Sequence, residues 1–151
     1  MVDLNWCKRQ NGGIKLVEPN ENLAREYLAN AEETLMVLRE IDGKSNMWVA
    51  TMKYYFEYFL AYAVLMRIGV KCEIHDCTIE VCKRLENDDA LPGGFYSALK
   101  KDKSLRIDNQ YYLKNKKVDV DYGELSRFLL EIKNFVSRVS EDGVNKARSL
   151  I

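Results

Sequence analysis

SNMWVATMKYYFEYFLAYAVLMRIGVKCEIHDCTIEVCKRL, residues 45–85, decides the fold. Its first half is the longest apolar run in the chain. Its second half carries the only histidine and three of the four cysteines. The pattern predicts one helix over Asn46–Ile68, about 35 Å long at ~1.5 Å per residue. Ser45 is placed to cap its start, because a serine hydroxyl accepts from a first-turn N–H that has no partner inside the helix. Gly69 is placed to end it, since glycine takes the left-handed conformation that closes many helices. Apolar and aromatic side chains surround this helix almost completely, which fits a helix packed by neighbours on several sides. Lys53 and Glu57 near its middle argue against a membrane span, because a charge at the centre of a spanning helix costs ~2.5–3.5 kcal/mol. In water their four-residue spacing lets them pair on one face. The expectation is the central helix of a soluble bundle.

Working outward, 151 residues make one domain, long enough to bury ~70% of its unfolded surface. Lys+Arg and Asp+Glu both number 23, so the bulk charge gives no sign of the excess positive potential that draws proteins to polyanions. Lys114, Lys116 and Lys117 form a local basic run, read as a solvated loop. The opening MVDLNWCKRQNGG lacks the apolar core of a signal peptide. A cytoplasmic setting is therefore expected, with Cys7, Cys72, Cys77 and Cys82 as reduced thiols. Prolines stand only at 19 and 92, a scarcity that favours long helices.

Residues 1–18 show no helical periodicity and read as an extended N-terminal arm, with a turn at Asn11-Gly12-Gly13. Residues 19–151 read as a single helical domain. Asn20 caps a first helix whose apolar positions are Leu23, Tyr27, Leu28, Ala31, Leu35 and Leu38, ending near Asp42-Gly43. Asp76 is expected to cap a helix carrying Ile79, Val81, Cys82 and Leu85. After the break at Leu91-Pro92-Gly93-Gly94, a less regular helical stretch runs from Phe95 to Leu113, with Asp102 able to recap it. Asp121 and Glu124 form a capping-box-like pair at the head of a last long helix with Leu125, Phe128, Leu129, Ile132, Phe135, Val136 and Val139 inside, loosened near Gly143. The fold class is all-α, an up-and-down bundle of about five helices whose short links make neighbours mostly antiparallel.

Three groups of residues bear on chemistry. Cys72, His75, Cys77 and Cys82 invite a metal reading, but structural zinc sites pair closely spaced ligands with a distant second pair, and these four fall in one short run entering a helix. The expectation is no metal and no cofactor, with buried thiols as small hydrophobes and His75 capping its helix or bonding across the bundle. A Cys–His nucleophile would need one thiol activated by the imidazole, and the spacing selects none. Tyr54, Tyr58 and Tyr62 repeat every four residues and line one face, with Tyr55 beside them. Each buried phenol needs a partner, so the ladder points to a half-wet face, a dimer seam or a ligand groove; plain core packing fits equally. Finally, Leu105 to Tyr112 is the densest polar run with aromatics: arginine holds phosphate in a forked contact, and tyrosine stacks a base or donates to a phosphate oxygen.

Trp48-Val49-Ala50-Thr51 running into Tyr54-Tyr55-Phe56-Glu57-Tyr58, then Ala63 to Gly69, then Glu73-Ile74-His75-Asp76-Cys77-Thr78-Ile79, resembles the HEPN domain (higher eukaryotes and prokaryotes nucleotide-binding). Pro19 to Glu33 resembles its first helix, and Arg106 to Tyr112 its later arginine-bearing segment, so the likeness covers most of residues 14–140. The resemblance implies a helical bundle that dimerises, with a minimal nucleotidyltransferase as partner in a toxin–antitoxin-type pair. Many members are metal-independent ribonucleases with an R-x4-6-H motif, in which arginine stabilises phosphoryl charge and histidine moves protons. Here Tyr111 stands where that histidine would be, and a phenol of pKa near ~10 is a poor base at neutral pH. The expected function is binding of nucleotide or RNA alongside the nucleotidyltransferase, without membrane association, at Arg106, Asp108, Asn109, Tyr111, Tyr54 and Tyr58. One alternative is a divergent ribonuclease using Arg106, Tyr111 and His75; the other is a non-catalytic dimeric interaction module.

Overall fold

In the computed structural model, which describes residues 1–151, the Asn46–Ile68 helix sits where its composition puts it, inside a set of six others. The order is α1 (Leu4–Arg9), β1 (Lys15–Leu16), α2 (Glu21–Ile41), α3 (Asn46–Ile68), β2 (Val70–Lys71), α4 (His75–Asn87), α5 (Phe95–Gln110), α6 (Tyr122–Arg138) and α7 (Glu141–Ser149). The two short strands pair antiparallel, Lys15 opposite Lys71 and Leu16 opposite Val70. No helix is long and apolar enough to cross a membrane.

Local signals set the ends of α3. Ser45 accepts from the Trp48 N–H, and Gly69 closes the helix at φ 78°. Fifteen of its 23 residues are buried, more than one stripe can supply, so neighbours cover it on several sides. α2 runs antiparallel to it: the Asn20 N–H bonds the Met66 carbonyl at 2.8 Å, and Tyr27 packs on Tyr62 with ring centroids 5.2 Å apart. α6 is tied to the same helix, since Arg67 donates to the Val136 and Val139 carbonyls. A side chain at residue 69 would collide with the Val17 carbonyl and the Arg148 guanidinium, so glycine is required there for space as well as for φ. Arg148 Nη1 lies 2.8–2.9 Å from the carbonyls of Val17, Ile68 and Gly69, two of them at the α3 end where carbonyls lack helical partners. Arg148→Ala should therefore cost about 1.5–3 kcal/mol, read as a lower urea midpoint at constant m-value.

The helices number seven rather than five, for two reasons. α1 forms where an extended arm is expected: Asp3 caps it by accepting from the Trp6 N–H, and its buried Cys7 is bonded to Cys77, Cα–Cα 5.7 Å. The expectation of four free thiols is thus corrected, with Cys72 and Cys82 alone remaining as buried thiols. That expectation was drawn from the composition of the opening residues, which says nothing about which side chains meet. The last expected helix is two, because Val139 and Ser140 turn extended and Ser140 caps α7 through the Gly143 N–H. α4 begins at His75, with Ile74 in the cap position and no side-chain cap; Asp76 lies inside the first turn and pairs with Lys103 instead. Asp102 does not recap α5, which runs unbroken to Gln110, because it is buried against Lys53 of α3 at 2.7 Å. That bond also replaces the expected Lys53–Glu57 pair.

Candidate functional site

α5 is the helix that makes the site, and it lacks an apolar stripe. It buries Phe95 and Leu99 near its start, and from there on only the polar Asp102, Arg106 and Asn109. Asp102 meets Lys53 of α3, Asn109 reaches the Asn46 carbonyl at the start of α3, and Arg106 lies against the tyrosine-rich side between them. The Arg106 guanidinium carbon sits 4.9 Å from the Tyr54 ring centre, 5.5 Å from that of Tyr55 and 5.8 Å from that of Tyr111. Its Nη1 reaches only the Tyr55 hydroxyl, at 3.5 Å, and its Nε is buried without a partner. The residue is 8% exposed and forms no carboxylate ion pair.

His75 enters the same cluster from the start of α4. Its Nδ1 lies 2.8 Å from the Tyr54 hydroxyl, and its ring stacks on Tyr58 with centroids 4.2 Å apart. Burial lowers its pKa below the usual histidine value, and the positive charges of Arg106 and Lys103 lower it further against the opposing pull of Asp76. Burial raises the Tyr54 and Tyr58 phenols well above their usual value, so both are neutral. Of the residues singled out in the sequence, Arg106, Tyr111, His75, Tyr54 and Tyr58 come together. Tyr55 belongs with them by its contact with Arg106; its place beside Tyr54 and Tyr58 was the available signal.

Asp108 and Asn109 do not join. Asp108 pairs with Lys116 at 2.8 Å and Lys114 at 3.3 Å, and the hydrogen bond from Lys116 is the main cause of its lowered pKa. Asn109 holds the backbone of Lys116 by both ends of its amide, at 2.7 and 2.9 Å. Together they build the turn after α5, in which Leu113 and Asn115 have positive φ. Two lysines of the basic run are consumed there.

The tyrosine ladder is not a wet face. Tyr54 is 0% and Tyr58 7% exposed, and the hydroxyls of Tyr54 and Tyr62 turn inward to His75 and to the Cys72 carbonyl. The cysteines make no site either: no group of three or more His, Cys, Asp or Glu side chains is arranged to hold a metal ion. Burial pushes the Cys72 and Cys82 thiols up, away from the thiolate that nucleophilic chemistry needs.

One turn back along α5 the seam continues as a buried acid–base group of Lys53, Glu57 and Asp102. Every buried side-chain polar atom left without a partner lies on Glu57, Asp102, Arg106 or Gln110. The last three follow one another at four-residue spacing on α5, one face of a helix. Burial drives the Glu57 carboxyl pKa well above its usual range, and the neighbouring Asp102 carboxylate adds to it. A proton on Glu57 lets it donate to Asp102, which pairs the oxygens that two carboxylates would leave facing each other. The Arg106 Nε has no such internal remedy.

The larger cavities lie to the side. One of about 320 Å3 between α4 and α5 is lined by Asp76, Lys103 and Ile107, next to the cluster, but not by Arg106 or His75. Tyr111, 5.8 Å from the Arg106 guanidinium, is 63% exposed. Compared with family profiles, curated proteins and solved structures, the chain shows no significant match.

Proposed function

We propose that this chain is a HEPN-like helical protein that binds a nucleotide or RNA phosphate at Arg106 and works with a minimal nucleotidyltransferase partner in a toxin–antitoxin-type pair. One observation carries the binding part: an arginine 8% exposed, its guanidinium caged by three tyrosines, with an unpartnered Nε and no carboxylate. Burying a charge without a counter-charge is unfavourable. Aromatic faces return part of that cost, on the order of 2 kcal/mol when desolvated. A phosphate supplies the rest, because its oxygens accept a charge-assisted bond from Nη2, which has no partner within the chain and, unlike Nε, is not buried. The partner and the dimer rest on the resemblance of residues 14–140. A cytoplasmic setting belongs to the same reading and meets an opposing fact, since reducing compartments keep most cysteines as thiols while Cys7 and Cys77 are bonded.

The test is thermal unfolding with a panel of nucleotides and short RNAs, since a ligand of the folded state raises Tm. Arg106→Ala should weaken the best ligand roughly 10- to 100-fold, the worth of one or two charge-assisted bonds. Unchanged affinity in that variant would remove the site.

A second reading, a divergent metal-independent ribonuclease, is favoured by the contacts that Arg106 and His75 both make with Tyr54, one over its ring and the other at its hydroxyl, so that a guanidinium and an imidazole share one cluster. Short RNA left intact by pure protein, with and without Arg106, would dispose of it.

A further inference from the structure

We infer that Tyr54 is a positioning residue that fixes His75 as the Nε2–H tautomer, so that the imidazole offers a hydrogen-bond donor, not a base, to an oxyanion bound at Arg106; this rests on the anion-binding reading above. Tyr54 is 0% exposed, and the only hydrogen-bond partner of its hydroxyl is His75 Nδ1 at 2.8 Å. A phenol has one hydrogen to place. Donated to Nδ1, it is satisfied, and the ring's own proton must then be on Nε2. With the proton on Nδ1 instead, that N–H would point at the phenol oxygen and the phenol hydrogen would be left in a dry site with no acceptor, the costlier arrangement for a buried donor. An imidazolium would strand the same hydrogen, which agrees with the depressed His75 pKa.

The other ring nitrogen is the one left for a ligand. Nε2 makes no hydrogen bond within the chain, yet it is not among the buried unpartnered atoms; it faces solvent. Stacking on Tyr58 at 4.2 Å holds the ring plane. Arg106, Lys103 and Asp76 are the charged groups around this histidine, and none of them bonds its nitrogens. Arg106 and His75 thus both present donors, the guanidinium and the Nε2–H. The ligand class that fits is a tetrahedral oxyanion with acceptor oxygens, such as inorganic phosphate or a nucleoside 5′-monophosphate.

His75 is the sole histidine, so its ring nitrogens can be assigned without ambiguity by 15N–1H correlation NMR. The expected wild-type spectrum at neutral pH shows a protonated Nε2 and a bare Nδ1, and adding inorganic phosphate or adenosine 5′-monophosphate moves the Nε2 resonance. Tyr54→Phe should release the ring into a mixture of tautomers and weaken phosphate binding roughly two- to tenfold, with Arg106 untouched. A wild-type ring protonated on Nδ1 overturns the inference, and that spectrum needs no variant. Phosphate binding that depends on Arg106 but leaves the Nε2 resonance unmoved overturns the inference while the anion site stands. Absence of any phosphate or monophosphate binding by the wild type overturns both.

Discussion

Lys53→Met should cost the protein about 3–5 kcal/mol, the usual penalty for stranding one half of a buried ion pair. Lys53 and Asp102 meet at 2.7 Å with side chains 10% and 1% exposed, and Asp102 Oδ1 already lacks a partner. Burial works against the lysine charge, but the carboxyls of Glu57 and Asp102 outweigh it and raise its pKa. Removing the ammonium leaves two carboxyl groups facing each other in the core. The double variant Lys53→Met with Asp102→Leu should regain much of the loss, because apolar replacements of a buried pair are often neutral; equal destabilisation of single and double variants in urea would show that packing, not charge, is at stake. The same group sets a pH dependence. Glu57 keeps its proton to higher pH when folded than when unfolded, so its share of stability is complete below the ordinary glutamate pKa and is lost as pH rises through the folded one. Glu57→Gln, which cannot lose a proton, should flatten that decline between mildly acidic and mildly alkaline pH.

Breaking the Cys7–Cys77 bond comes next in size. Residues 70 apart are joined, and closing a loop of that length removes unfolded-state entropy worth about 4 kcal/mol. Cys7→Ser should lower Tm by on the order of 10 °C for a chain this long. A dithiol reductant applied to the wild type should give the same shift, and the two treatments together no more than either. A Tm indifferent to reductant would mean that the bond adds nothing to the folded state's advantage.

What could be read from the chain was whatever local chemistry settles. Ser45, Gly69, Asn20 and Asp121 mark the ends they were expected to mark, because a cap is an interaction over three residues. α2 and α6 carry apolar stripes that sequence periodicity exposes. α5 carries none: Asp102, Arg106 and Gln110 look like a solvated face until α3 is laid against them, so the reading there stopped at an irregular helix. α1 is six residues long, too short for any period to show. The disulfide and the Tyr54–His75 bond link residues 70 and 21 apart, and nothing local announces either. Arg106 and Tyr111 were legible as a charged residue among aromatics, whereas the contacts that Asp108 and Asn109 make in the turn after α5 were not, because turn-building side chains and ligand-binding ones are polar alike.

The cystine also determines how the molecule would bear load. A pull applied between the two ends of the chain does not run along the sequence. It enters at residue 7, crosses the sulfur bridge to residue 77, and continues through α4 to α7. The ring so bypassed contains both strands, α2 and all of α3. The central helix and its antiparallel mate are therefore off the force path, and with the bridge intact no tension on the termini can straighten them. Only the residues before Cys7 and those from Cys77 through α7 can be drawn out, and Arg148, gripping the carbonyls at the foot of α3, is among the first holds to give way.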